Sequence, residues 1–125
     1  MKERINTMAV QISTKDGQVS INLNAIATVI GASVTDNYGV VGMVSKNLIR
    51  DNFIEVLKNE NYAKGIVLKQ NGNLISVDVY ILVSYGTKIS VICRNIQETV
   101  KYNVERLLGF SLDYVNVHVQ GVKVD

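Results

Sequence analysis

"LISVDVYILVSY", residues 74–85, decides how the rest of the chain is read. Successive side chains of an extended strand point to opposite faces, so Ile75, Val77, Val79, Ile81, Val83 and Tyr85 share one face. Ser76, Asp78, Tyr80, Leu82 and Ser84 share the other. One row is almost wholly apolar and the other is mixed. A strand patterned this way belongs to a sheet covered by helices on one face and open on the other.

Upstream, residues 65–69 form a second strand, and Asn71-Gly72-Asn73 turns the chain back into the long one as a hairpin. Downstream, Gly86 breaks the strand in Tyr85-Gly86-Thr87-Lys88, and Thr87 or Ser90 is placed to cap a helix beginning near Ile89. In that helix Ile89, Ile92, Cys93, Ile96, Val100, Val104 and Leu107 recur at helical spacing, and Gly109 ends it. Arg94, Glu98, Lys101, Glu105 and Arg106 occupy its wet side, with Lys101 and Glu105 spaced to pair. The closing strand alternates Val115, Val117 and Val119 against Asn116, His118 and Gln120.

Nearer the start, Val10 and Ile12 alternate before Lys15-Asp16-Gly17, and Val19 and Ile21 after it, which predicts a hairpin. Residues 1–7 form a loose extension ahead of a single domain over 8–125. Leu23, Ile26, Ala27, Ile30 and Val34 predict a helix over 24–37 with Asn22 or Asn24 as N-cap. Gly39-Val40-Val41-Gly42-Met43-Val44 reads as a short strand, and Leu48, Ile49, Phe53, Val56 and Leu57 as a helix over 47–59. The resulting fold class is α+β, a two-layer sandwich with helices on one face of a mixed or antiparallel sheet.

The composition supports a packed domain. The 125 residues are 47% hydrophobic and include no proline, and a chain of this length buries enough surface to need no disulfide or metal staple. One cysteine, Cys93, excludes an internal disulfide and fits a reducing, cytoplasmic setting. No apolar run follows Met1-Lys2-Glu3-Arg4, so no secretory signal is expected. The apolar stretch 25–34 falls short of the roughly 20 residues of a membrane span. The 13 basic and 11 acidic residues are interspersed, which gives nucleic acid no basic stripe to bind.

Catalysis needs positioned reactive groups, and the sequence supplies few. Cys93 and His118 would be the nucleophilic pair, but parity sets them on opposite sides of the sheet, with Cys93 a core thiol of raised pKa. Asp78 lacks the second carboxylate that acid/base hydrolysis or a hard-metal site requires. No enzyme activity, metal or cofactor is therefore expected. Gly39-Val40-Val41-Gly42 matches the Gly-x-x-Gly clamp of a KH-type RNA-binding module, although its two central valines suit a strand. The helix start after Gly86 offers a second alternative, a small-molecule or anion site, without the spacing of a phosphate loop. Tyr85 and Gly86, like Gly39 and Gly42, also read as structural turn positions. The open face remains: Tyr80, Leu82, Ser84, Asn116, His118 and Gln120 place an apolar centre within a polar rim, the composition of an interaction surface.

The order and spacing of "YGVVGMVSKN" (38–47), "VDVYILVSYGTKIS" (77–90), "NIQETVKYNVE" (95–105) and "VNVHVQGVKV" (115–124) resemble the alkaline shock protein family of Gram-positive bacteria, over nearly the whole chain. The resemblance is to its small, cytoplasmic members. It implies a small α+β domain and a role in cell-envelope or alkaline stress. In some members it implies attachment to the membrane through protein partners, and it brings no catalytic residues. Together, residues and resemblance point to a non-catalytic cytoplasmic adaptor or scaffold that self-associates or binds a protein partner.

Overall fold

The computed structural model describes residues 9–47 and 55–124. Along them lie β1 (Ala9–Thr14), β2 (Gly17–Asn22), α1 (Leu23–Thr35), β3 (Val40–Met43), a 3-10 segment (Asn59–Gly65), β4 (Ile66–Asn71), β5 (Leu74–Ser84), α2 (Ile89–Leu108) and β6 (Tyr114–Lys123). The architecture is α+β, with both helices against one face of a mixed sheet and a separate β1–β2 hairpin.

β5 organises the sheet. β6 follows one of its edges in parallel, from Ser76 paired with Tyr114 to Ser84 paired with Lys123. A strand has only two edges, so β4, antiparallel along residues 74–79, and β3, antiparallel along residues 81–83, share the other edge end to end. The parallel pairing follows from what lies between the strands. A parallel neighbour requires the chain to travel back before it can run forward again. α2, with 20 residues and about 30 Å of length, retraces β5, with 11 residues and about 36 Å.

The dry row of β5 makes the core. Ile75, Val77, Val79, Ile81 and Val83 are buried, meeting Ile26, Ile30 and Val34 of α1 and Ile92, Ile96, Val100 and Val104 of α2. Each fully buried side chain of this size contributes roughly 1.5–3 kcal/mol relative to exposure, so this layer dominates the stability. Both helix ends have identifiable causes. The Asn22 side-chain oxygen accepts from the Ala25 N–H at 3.0 Å, and Gly109, at φ 85°, donates its N–H to the carbonyls of Glu105 and Val104. Gly31 of α1 lies flat against the ring of Tyr62 from the 3-10 segment, where a Cβ would overlap the ring.

Several expectations are corrected. Of the helix expected over 47–59, residues 48–54 lie outside the described residues, and residues 55–58 are not helical. Val56 bridges Val44 in antiparallel fashion, and the Leu57 N–H donates to the Met43 carbonyl at 2.7 Å, so this stretch serves the outer edge of β3. Neither Thr87 nor Ser90 caps α2. Lys88 occupies the N-cap without a side-chain bond, and the Thr87 hydroxyl turns back to the Ser84 carbonyl at 2.6 Å. Cys93 is half-buried at the margin of the stripe, not in the core, and Leu107 is exposed. The first hairpin does not join the main ladder by backbone pairing. Instead Gln70 of β4 clips it, accepting from the Gln11 N–H at 3.1 Å and donating to the Gln11 carbonyl at 3.0 Å, while Val10 enters the core.

Candidate functional site

The face of β5 and β6 turned away from the helices brings together most of the residues the sequence singled out. Tyr80 and His118 are cross-strand partners, and their rings stack with centroids 4.6 Å apart and planes within 13° of parallel. Asp78, one step along the same row, accepts a hydrogen bond from Asn116 Nδ2 at 2.7 Å and lies 3.7 Å from His118 Nε2. The carboxylate therefore ties down Asn116 and lies close to His118, whose ring is held by the Tyr80 stack. Cross-strand pairs of this kind contribute about 0.2–1 kcal/mol each, which orders a surface without making it a core. Leu82 and Ser84 continue the row, both half-buried.

Gln120 is the exception. The β5–β6 register slips between Ile81 and Leu82, so that Val119 pairs with Ile81 but Gly121 pairs with Leu82. Gln120 is the extra residue of a bulge, and the simple alternation that placed it with Asn116 and His118 ends there. The spacing carries a signal of this, since valines recur every second residue from Val115 to Val119 and then only after three, at Val122. The sequence reads Asp78 as an open-face acid in a solvated or cross-strand pair near Asn116 or His118, and the structure shows that pair. Its role depends on which residues of β6 lie opposite it, and that follows from register.

Two other sequence features take structural places. Gly39, at φ 91°, makes the turn into β3, and Gly42 lies within β3 opposite Leu82, with Val56 packed directly over its bare backbone. The Gly-x-x-Gly stretch thus belongs to a turn and a strand, whereas a KH clamp joins two helices. Tyr85 and Gly86, the latter also at φ 91°, form the turn from β5 into α2, and the Tyr85 N–H donates to the Lys123 carbonyl at 3.0 Å. A cleft of about 580 Å³ lies between α1 and α2, lined by Thr28, Ser33, Asn103 and Arg106 among others, away from the Gly86 turn.

Cys93 and His118 do lie on opposite sides of the sheet: Cys93 belongs to α2, and His118 stacks on the open face. Partial burial pushes the Cys93 thiol above its ordinary pKa, which lowers its thiolate fraction at neutral pH. Among the described residues, no three His, Cys, Asp or Glu side chains gather as metal ligands. Among them, too, no helix is long and apolar enough to cross a membrane.

The chain is similar to known proteins over nearly all its length. The sequence model of the alkaline shock protein family, described by its "cell envelope-related function", matches residues 11–124. The chain belongs to the alkaline shock protein family. It is 55% identical over 117 residues to Spy1614 of Streptococcus pyogenes, covering 94% of this chain and 97% of that protein. It is 47% identical over 117 residues to YloU of Bacillus subtilis, covering 94% and 98%. Membership confirms the family resemblance read from the four sequence blocks, and both relatives match over nearly their whole length. A solved structure, MamM-CTD H285A, overlaps 79% of this alkaline shock family chain and 96% of its own at a TM-score of 0.47 and 15% identity. That likeness is too slight to bear on function.

Proposed function

We propose that this alkaline shock family protein is a non-catalytic cytoplasmic adaptor or scaffold with a cell-envelope role, and that it associates through the open face of β5 and β6. The observation that carries the reading is the ordered cluster on that face. Tyr80 is stacked on His118, both lie beside an Asp78–Asn116 hydrogen bond, and Leu82 is next in the row. Aromatic and aliphatic groups held rigid within a polar rim lose little conformational freedom on binding, which favours recognition. Two further features support a non-catalytic role. Asp78 is engaged by Asn116 and His118 rather than by a second carboxylate, and the sheet separates Cys93 from His118.

The test is the double substitution Tyr80→Ser and Leu82→Ser. Both side chains lie on the face away from the core, so the circular dichroism spectrum and the cooperativity of unfolding should persist. Self-association, or recovery of a specific protein partner from cytoplasmic and membrane fractions, should fall at least tenfold. Unchanged association by a folded double variant would refute the face assignment.

A further inference from the structure

We infer that the outer edge of β6 is a pairing edge for a second copy of this chain, in antiparallel register about a two-fold axis at Val117. This deepens the association reading above and rests on it.

The strand pairing fixes which backbone groups of β6 face outward. In β5, the Tyr80 carbonyl accepts from Val44 and the Ser84 N–H donates to Gly39, so even-numbered residues serve the β3 and β4 edge. Ile75 exchanges hydrogen bonds with Asp113, through its carbonyl to the Asp113 N–H and its N–H to the Asp113 carboxylate. The Tyr85 N–H donates to Lys123, so odd-numbered residues serve the β6 edge. In a parallel ladder, a residue whose groups point at its neighbour bonds to the residues before and after its Cα partner, and the partner's own groups point away. Val77, Val79 and Ile81 have Val115, Val117 and Val119 as Cα partners. The N–H and C=O groups of these three valines therefore face outward. An independent contact agrees: the outward carbonyl of Val115 accepts from Gln97 Nε2 of α2 at 3.0 Å, leaving one lone pair, while no other described element pairs with this edge.

The composition of β6 suits a second copy of the same strand. Edge strands of proteins that stay single are blunted by proline, by lysine, by shortness or by a bulge. β6 is 10 residues long, and from Tyr114 to Val122 it contains no proline and no formally charged side chain. Its bulge lies at Gln120, beyond the regularly paired stretch 114–119, and its lysine at 123. With the axis at Val117, Val117 opposes Val117 of the partner subunit and Val115 opposes Val119 of the partner subunit, so the apolar row runs through unbroken. On the other face Asn116 opposes His118 of the partner subunit. No like charges meet, and the two Tyr80–His118 clusters become one continuous surface.

Cross-linking reads the register. On a Cys93→Ser background, Val117→Cys should form a disulfide-linked dimer under diamide, because directly opposed hydrogen-bonded residues lie about 5.5 Å apart at Cα, within disulfide range. Val115→Cys alone and Val119→Cys alone should not cross-link, whereas a mixture of the two should. In light scattering the wild type should show twice the monomer mass, and Val117→Pro, which removes an outward N–H, should be monomeric. A Val117→Cys chain that stays monomeric under diamide overturns the inference, as does a wild type that remains a monomer at high concentration. If that happens while the Tyr80/Leu82 variant still loses a protein partner, the edge fails and the face reading stands. If Val117→Cys cross-links while the Tyr80/Leu82 variant associates as the wild type does, the face reading fails and the edge stands.

Discussion

The two faces of β5 are built from one continuous stretch of chain, yet they obey different physics. On the helix side, Val77, Val79, Ile81 and Val83 are fully buried beneath two helices. On the other side, Asp78, Tyr80 and Leu82 are half-buried, flanked by neighbours on β6, β4 and β3. The dry side is held by the removal of apolar surface from water, which grows with every atom buried. The wet side is held by a stacked ring pair and a hydrogen bond that water could replace. One side therefore fixes the fold, and the other is free to present a surface.

Adjacent substitutions test this contrast most strongly. Ile81→Ala removes a fully buried side chain and should cost about 2–5 kcal/mol in equilibrium urea unfolding. Leu82→Ala, one residue on, should cost less than half as much. Equal losses would mean that the open face is covered as well. Next in size is Gly31→Ala, where a new methyl meets the Tyr62 ring. Overpacking of this kind costs about 1–3 kcal/mol, and the loss should shrink when Tyr62→Ala is added, as a double-mutant cycle can measure.

Smaller effects sharpen the wet side. Asp78→Ala frees Asn116 and His118, but both can turn to water, so the expected loss is about 0.5–1 kcal/mol. The same change should loosen the Tyr80–His118 stack, visible as averaging of the Tyr80 ring resonances by NMR. Smallest is the margin of the dry side at Cys93. Its folded pKa is raised, so the native thiol should alkylate more slowly at pH 8 than the thiol in the urea-unfolded chain. The ratio should diminish as pH rises through the folded pKa, once both forms are thiolate.

Much of the fold was legible because it rests on periodicity. The alternation over 74–85, the turns at Gly17 and Gly72 and the stripe ending at Gly109 each depend on residues close in sequence, and β5, both hairpins and α2 form where they predict. What failed, failed for lack of a local signal. Val56 and Leu57 have helical spacing with their neighbours, but the unsatisfied outer edge of β3 draws them into bridging contacts. Thr87 suits an N-cap, yet the turn at Gly86 brings the Ser84 carbonyl within its reach first. Gln120 shares parity with His118, and only the slip of β6 against β5 separates them.

By itself the sequence determined the dry row of β5 from Ile75 to Val83, which strand is central, and that Tyr80, Leu82, Asn116 and His118 share a face, because side-chain direction along a strand is a property of the backbone repeat. Only the tertiary structure decided that Asp78 bonds Asn116, that Gln120 leaves that face, and that Val115, Val117 and Val119 turn their backbone groups outward. Those facts depend on register between segments far apart in the chain, and register is set by packing across the whole sheet.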